Sequence, residues 1–458
     1  MKQKVQGWQS LATVAILLGI PAAVRADAVS DWNAIAVQAT VTAARAGPSG
    51  VIDVAMVQAA VYDAVQGIEG KFKPYHVEIQ RGSGSPEAAA AKAAHDVLVS
   101  RFPAQATALD TTYQEYLVSH GLAESDPGVQ VGATAAAGTI ALRGSDGSFP
   151  EVPPPPFVGG TGPGVWRPTP PGNLAMAVPW LGNVTPFTMT GPSQFSPPPP
   201  PALNSDQYAM DYNEVKALGA LSNSSRTPEQ TELAQFWALN YPVVWNQILR
   251  DIAAAHIDQI AESARLFALV DMAIADAVIT AWNSKNQYSF WRPITAIREG
   301  DSDDPRTAAD PTWMPLITTP NYPDYTSGAN NATAAATGSL ALFFGKDAMT
   351  FSVTTTNPGP TLEDTRTYDR FSDVAQDVAN ARIYEGIHFR FADDAGRKQG
   401  NQVANWVFNN FLQPLDAGGK EHDQGCRFTP GRASVRTGMA PVALLPIGLA
   451  VALRRRRR

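Results

Sequence analysis

The chain has 458 residues, of which 44% are hydrophobic and 17% charged, so it is neither a disordered nor a fibrous protein and can bury a large core. The formal net charge is −7, and it falls to about −15 when the eight cations at the two ends are left out. So acidic a body argues against nucleic acid as a partner, because phosphate backbones attract Lys- and Arg-rich surfaces.

The N-terminus has the order of a secretory signal peptide. Lys2 and Lys4 precede an apolar run from Leu11 to Ile20, and small residues follow up to Ala26. The run is too short to span a bilayer and its flanks are those of an export signal, although a buried first helix would also be apolar. We therefore expect residues 1–26 to be a bacterial-type signal peptide, cleaved after Ala26. The protein would then be exported to the cell envelope or to the extracellular medium.

Residues 27–149 consist of Ala-rich segments with helical spacing, separated by short polar breaks. This pattern is typical of a helical bundle. The segments are Asp31–Arg45, Val51–Ile68, Pro86–Phe102, Ala104–His120 and Val129–Leu142.

The character of the chain changes at residues 150–204. Between Pro150 and Pro201 lie 17 of the 37 prolines, a density that permits neither a regular helix nor a central strand. The segment is also rich in aromatic residues, which favours an irregular segment packed over the body rather than a disordered linker.

Helical spacing returns in residues 205–415, while strand-like alternation is scarce. The sequence therefore predicts an all-α fold, with two helical bundles joined by the proline-rich segment. The predicted helices of the second bundle are Asp206–Leu221, Pro228–Leu239, Val244–Trp282, Ala332–Phe344, Tyr368–Tyr384 and Lys398–Leu412.

The C-terminus ends in an apolar run, Gly438–Leu453, followed directly by the five arginines 454–458. By the positive-inside rule, these arginines would stay on the cytoplasmic side of the membrane. Residues 438–458 look like the sorting tail of a bacterial surface protein, with residues 416–437 as a linker, although the usual recognition boxes of such tails are missing. A plain membrane anchor is the alternative.

A first group of chemically informative residues is Lys285 and Arg292, seven positions apart at the end of a long helical pattern. Residues seven positions apart lie on the same face of a helix, two turns apart. Because the residue before a proline disfavours the helical conformation, Arg292 should lie at the helix end beside Lys285. Such a pair could clamp an oxyanion, Arg through its planar fork and Lys as a point charge. Taken alone, however, two cations on a helix usually face solvent.

A second group is the polar turn Tyr325–Asn331, which opens the helix predicted to follow it. Unpaired backbone N–H groups and the positive end of the helix dipole make an anion site there, and the Ser327 hydroxyl adds a donor. An ordinary N-cap by Ser327 or Asn330 is the alternative.

The third group contains Arg382 and, six residues later, His388. In order and spacing the three groups resemble the superfamily of vanadium-dependent haloperoxidases and type 2 phosphatidic acid phosphatases. That pattern reads Lys, six residues, Arg-Pro, then Pro-Ser-Gly-His, then Arg, five residues, His. The segments 166–171, 213–216 and 387–392 further resemble the bacterial haloperoxidase-like branch.

The resemblance implies a bound vanadate, or a phosphate in the same site. Its non-bridging oxygens would be neutralised by three cations and hydrogen-bonded by a hydroxyl and an amide: Lys285, Arg292, Arg382, Ser327 and Gly328. His388 would be the axial ligand of vanadium, or the nucleophile that forms a phosphohistidine. Three cations in a partly dry cavity suit the geometry that vanadate shares with a phosphoryl-transfer transition state.

The sequence departs from the family pattern at Ala329, which replaces the histidine of Pro-Ser-Gly-His. In the family that histidine is the acid–base residue, and alanine cannot move a proton. General acid–base assistance contributes about 10²–10⁴ in rate. Either another residue substitutes or the activity is much reduced.

Three functions follow from these residues. The first is a vanadate-dependent haloperoxidase that oxidises a halide with hydrogen peroxide, with low activity unless another residue replaces the acid–base histidine. The second is a soluble phosphatase of small phosphorylated substrates that uses His388. The third is a non-catalytic oxyanion-binding surface protein, which Ala329 and the apolar tail would suit.

Overall fold

The computed structural model describes residues 27–300, 304–355 and 365–415. Within these ranges the chain forms thirteen α-helices and a single pair of short strands, so the predicted all-α class is confirmed. The signal peptide, the linker and the apolar tail lie outside the described residues and stay predictions.

The helices of the N-terminal part are α1 (Ala28–Thr42), α2 (Gly47–Glu69), α3 (Pro86–Arg101), α4 (Ala106–Ser119) and α5 (Pro127–Arg143). Those that follow the proline-rich segment are α6 (Asp206–Leu218), α7 (Pro228–Phe236), α8 (Tyr241–His256), α9 (Ile260–Tyr288), α10 (Pro293–Glu299), α11 (Gly328–Phe344), α12 (Phe371–Tyr384) and α13 (Arg390–Asn410). Strands β1 (Ala348–Thr354) and β2 (Thr365–Arg370) pair antiparallel between α11 and α12.

Local sequence fixes several helix ends. The Ser85 side chain accepts a hydrogen bond from the Ala88 N–H at the start of α3. Thr227 and Gln230 form a reciprocal capping box at the start of α7. Gly70, with φ of 60°, ends α2 in the left-handed conformation that glycine adopts without strain.

Several elements differ from the sequence-based prediction. Helix α13 begins at Arg390 and not at Lys398, α11 begins at Gly328 and not at Ala332, and α10 was not predicted. The pattern from Val244 to Trp282 is interrupted, because the extended backbone of Ile257 and Gln259 separates α8 from α9. Neither glycine nor proline marks this break, so periodicity alone runs through it. Tyr368, predicted as the start of a helix, lies in β2, and the helix begins at Phe371.

Helix α9 is the structural centre of the described chain. It packs against α2 from the N-terminal set of helices and against α11 and α13 from the C-terminal set. Helix α2 is long and apolar enough to cross a membrane, but 94% of its most apolar window is buried inside the protein. The largest apolar core contains residues of the helices before and after the proline-rich segment. The domain boundaries drawn from the sequence stay a prediction.

The proline-rich segment packs onto the body and supports the turn that follows α9. Trp166 is buried, and its backbone N–H donates to the Ser289 carbonyl at 2.7 Å. Val165 forms an isolated β-bridge with Phe290. The segment therefore holds the turn between Lys285, in the last turn of α9, and Arg292, which precedes α10.

Candidate oxyanion site

Lys285 and Arg292 lie in one buried region, on two different helices. Lys285 is in the last turn of α9 and its ammonium donates to the carbonyls of Pro323 and Asp324, at 2.7 and 3.0 Å. Arg292 is the N-cap residue of α10, and its Nε donates to the Tyr322 carbonyl at 2.7 Å. Both cations thus hold the loop that leads to α11.

His388 follows α12, after a turn at Gly386 whose φ is 80°. Its Nδ1 lies 2.7 Å from the Asp324 carboxylate and its Nε2 lies 3.1 Å from Nη1 of Arg292. A carboxylate beside Nδ1 favours the tautomer with the proton on that nitrogen. Nε2 then carries the lone pair that faces Nη1 of Arg292, and it is the ring atom that would bind a metal or attack phosphorus.

Ser327 and Gly328 form the start of α11. The Ser327 side chain makes no capping hydrogen bond to its own helix, which leaves its hydroxyl free of the ordinary N-cap role. The Oγ instead accepts from the Asn330 side chain at 3.2 Å. A Cβ on Gly328 would lie 3.0 Å from the Trp282 ring, so glycine permits the close approach of α11 and α9.

Arg382 comes from the last turn of α12. Its guanidinium pairs with Glu385 and donates to the Trp237 carbonyl. It also lies over the Tyr241 ring, 5.4 Å from the ring centroid. These contacts hold the side chain at the end of the helix, facing the cavity described below.

Charge and burial together set the protonation of the site. Burial lowers the pKa of His388 well below its usual value, and the neighbouring cations, Arg292 foremost, act in the same direction. The imidazole is therefore neutral, the form that binds a metal. Burial raises the pKa of Asp324 to about 7 and that of Glu385 to about 8, against the pull of the cations beside them.

Two donors of the cations are buried without a partner, namely Nη2 of Arg292 and Nε of Arg382. An unpaired buried donor of a charged group is costly, and native structures rarely leave one without a role. A bound oxyanion would satisfy both donors. The residues present therefore fit a vanadate or a phosphate.

A cavity of about 430 Å³ opens beside these residues, and we call it the apolar cavity. Ala329, in the first turn of α11, lines it. Of its lining residues in the described chain, Arg382 alone is charged and none is histidine. The lining residues are Gly47, Pro48, Val51, Ala238, Leu239, Asn240, Tyr241, Pro242, Val278, Trp282, Ile317, Pro320, Tyr322, Gly328, Ala329, Ala332, Arg382 and Ile387.

Sequence reasoning missed Asp324, the carboxylate beside His388. Its position three residues before Ser327, in a Pro-Asp-Tyr turn, is the one signal that could have pointed to it. Sequence reasoning also missed Tyr241 and Tyr322, which line the apolar cavity. Nothing in their local pattern distinguishes them from core aromatic residues.

Another missed residue is Asp393, which is fully buried and accepts a hydrogen bond from the Asn330 side chain at 2.7 Å. The Asn330 amide is thus already used by Asp393 and by Ser327. In the segment after His388, Arg390 pairs with Glu214 at 2.7 Å. Glu214 and Arg390, which belong to two of the further segments singled out in the sequence, therefore brace the loop that carries His388.

The VCPO second helical-bundle domain family matches residues 265–417, which include all six residues predicted to form the site. Over 184 aligned residues the chain is 30% identical to the vanadium chloroperoxidase of Curvularia inaequalis. That alignment covers 33% of this chain and 30% of the relative, so the chain spans less than a third of that protein's length.

The fold has relatives among solved structures. A bacterial vanadium-dependent iodoperoxidase superposes with a TM-score of 0.72 at 22% identity, covering 85% of this chain and 97% of that one. A bacterial vanadium-dependent chloroperoxidase superposes with a TM-score of 0.66 at 18% identity, over 80% and 94% of the two chains. Residues 265–417 thus match the VCPO second helical-bundle domain, and the described chain has the fold of these vanadium haloperoxidases.

This assignment confirms the superfamily predicted from the three groups of residues. In the vanadium haloperoxidase fold of this chain, Lys285, Arg292 and His388 meet around Asp324. Arg382 and Gly328 line the adjacent apolar cavity. The roles of these residues in binding and catalysis stay predictions.

Proposed function

We propose that this protein is a vanadate-dependent haloperoxidase, which oxidises a halide ion with hydrogen peroxide. One peroxide, one halide and one proton give one hypohalous acid and one water. The observation that carries the proposal is the neutral His388, held between Asp324 and Arg292 next to Ile387, which lines the apolar cavity together with Arg382. The haloperoxidases of the same fold support it.

When bound, vanadate supplies the Lewis acidity that activates hydrogen peroxide. His388 would hold it through Nε2, with Asp324 fixing the orientation of the ring. The three cations would neutralise its charge, and the unpaired donors of Arg292 and Arg382 would bond its oxygens. The start of α11 would add the Ser327 hydroxyl and the Gly328 amide.

We further propose that this activity is low. No histidine lines the cavity within the described part of the chain, and the Ala329 side chain has no group that can transfer a proton. Charge stabilisation and ligand binding remain, but acid–base assistance is missing. The proposal thus separates binding, which should be normal, from turnover, which should be slow.

A single experiment tests the proposed function against the phosphatase alternative. Purified protein is incubated with orthovanadate, and the oxidation of iodide, bromide and chloride by hydrogen peroxide is measured beside hydrolysis of p-nitrophenyl phosphate without vanadate. Orthovanadate-dependent halide oxidation supports the haloperoxidase. Ester hydrolysis without halide oxidation would replace it by the phosphatase, and binding without either reaction by an oxyanion-binding protein.

Replacing Arg382 by alanine should weaken the binding of orthovanadate and of phosphate by at least about tenfold. A hydrogen bond to a charged group contributes about 1.5–3 kcal/mol, and each tenfold in affinity is about 1.4 kcal/mol. Calorimetric titration measures both affinities, and the two anions should compete. Arg265→Ala is the matched control, because Arg265 is also a buried arginine but donates to the Leu412 carbonyl away from the cavity. Equal affinities in the two variants would remove Arg382 from the site.

We also propose that the chain is exported and held at the cell envelope through its C-terminal tail. The support is the order of charged and apolar residues at the two ends. Intact-mass analysis of the protein from its native host should give a chain that begins at or near Asp27. A cytoplasmic species that retains Met1 would contradict export.

A further inference from the structure

A second cavity, of about 550 Å³, lies on the exposed face of α13. We call it the amide groove, because most of its lining side chains are exposed amides, namely Asn401, Gln402, Asn405, Asn409 and Asn410. The five amides and Trp406 form two rows along the helix, each with a residue at every fourth position. A helix rises about 1.5 Å per residue, so each row is about 12 Å long. The groove is therefore an elongated surface, suited to a chain of a few units.

Hydrogen bonds to the helix backbone orient three of these amides. The side-chain nitrogens of Asn405, Asn409 and Asn410 donate to the carbonyls four residues earlier, at 2.7, 2.7 and 2.8 Å. Because a carbonyl only accepts, the nitrogen of each amide faces the helix and the oxygen faces away from it. Within the described part of the chain these three oxygens accept no hydrogen bond. Each amide thus offers an acceptor and a second N–H donor to a molecule in the groove.

Two aromatic rings, Phe195 and Trp406, line the same groove. They meet edge to face, with centroids 6.3 Å apart. The indole N–H of Trp406 donates to the Thr188 carbonyl at 3.0 Å, and the Phe195 carbonyl accepts from the buried Gln399 side chain at 3.0 Å. These bonds tie the proline-rich segment to α13 and position both rings before a ligand binds, which lowers the entropic cost of binding.

The lining of the amide groove also restricts the chemistry of its ligand. Among its lining residues in the described chain, Lys398 alone is charged, and none is Leu, Ile, Val or Met. A protein partner would need an apolar interface core, and a highly charged ligand would need several opposite charges. A neutral sugar matches better, because its hydroxyls donate and accept as amides do, and its C–H groups pack on the negative face of an aromatic ring.

We propose that the amide groove binds a neutral oligosaccharide chain. The two rows of amides would bond the sugar hydroxyls, while a sugar ring packs on Trp406. A Cβ on Gly396 would lie 2.5 Å from the Ser327 carbonyl oxygen, so the buried face of α13 packs on the oxyanion site. The amide groove lies on the other, exposed face of that helix. The inference therefore stands apart from the proposed activity.

The test is calorimetric titration of the purified protein with cellohexaose, laminarihexaose, mannohexaose and chitohexaose, which are neutral chains that differ in sugar or linkage. At least one of them should bind with a dissociation constant below about 1 mM. Hexagalacturonate, which carries a carboxylate on every ring, should bind at least about tenfold more weakly than the best neutral chain, because carboxylates lose hydration that a single lysine cannot replace.

The double variant Asn405→Ala/Asn409→Ala should bind the best neutral chain at least about tenfold more weakly, which is about 1.4 kcal/mol. Alanine favours the helix, so α13 should stay folded. The matched control is Gln38→Ala/Gln130→Ala, which removes two exposed helix amides outside the groove, each bonded to a threonine four residues later. This control should keep the affinity of wild type, and both variants should keep their orthovanadate affinity.

Trp406→Leu tests the aromatic contribution, because leucine keeps an apolar side chain but removes the flat ring. It should also weaken binding at least about tenfold. The inference is wrong if none of the four neutral chains binds, if hexagalacturonate binds as tightly as they do, or if the double variant Asn405→Ala/Asn409→Ala equals its control. Light scattering that shows a wild-type dimer and a monomeric Asn405→Ala/Asn409→Ala variant would instead make this face an interface between copies of the chain.

Discussion

Replacing His388 by alanine is expected to lower orthovanadate-dependent halide oxidation by at least about a thousandfold, which is about 4 kcal/mol in the activation barrier. The reason is geometric. His388 Nε2 is the atom that would attach the oxyanion, and Asp324 and Arg292 hold the ring from its two nitrogens. Alanine removes the attachment and leaves the Asp324 carboxylate facing the cations without its imidazole partner.

The measurement is the initial rate of iodide oxidation at saturating orthovanadate, together with orthovanadate affinity by calorimetry. His256→Ala is the matched control, because His256 is exposed at the end of α8 and lies outside the apolar cavity. Thermal unfolding of both variants checks that the fold survives. A folded His388→Ala protein that keeps its rate within tenfold of wild type would show that His388 does not hold the oxyanion.

Replacing Ala329 by histidine is expected to raise halide oxidation, or otherwise phosphate-ester hydrolysis, by at least about tenfold, which is about 1.4 kcal/mol off the barrier. Ala329 lies next to Gly328 in the first turn of α11 and lines the apolar cavity, so an imidazole there has room. Its unperturbed pKa is about 6.5, and the three cations would lower that pKa and favour the neutral form that acts as a base.

The control for this gain is Ala329→Phe, which adds a ring of similar size that cannot transfer a proton. If Ala329→Phe raises the rate as much as Ala329→His, the gain comes from filling the cavity and not from proton transfer. Adding His388→Ala to Ala329→His should abolish the gain, because the oxyanion would lose its attachment. A wild type that already turns over rapidly, and is unchanged by Ala329→His, would mean that another residue moves the proton.

The helical class could be predicted from the sequence because local forces decide it. Ala-rich periodicity and the caps at Ser85 and Thr227 act within a few residues, and both are visible in the chain. The break at Ile257 is different. No local residue forces it, and the packing of α8 and α9 on their neighbours decides where one helix ends and the next begins.

The sequence by itself determined which charged residues could serve an oxyanion, since Lys285, Arg292, Arg382 and His388 stand in a fixed order and spacing. It also revealed that Ala329 breaks that pattern. Side-chain chemistry and short spacings carry such information, because residues within a few turns of one helix or loop have few possible arrangements.

Tertiary structure decided what surrounds these residues. Asp324 meets His388 across 64 positions of the chain, and Val51, from the second helix, lines the same cavity as Ile387. Contacts between residues so far apart depend on how whole helices pack, and a single sequence carries no local signal for them. The pairing of Asp324 with His388 and the apolar walls beside Arg382 therefore became visible only in the folded chain.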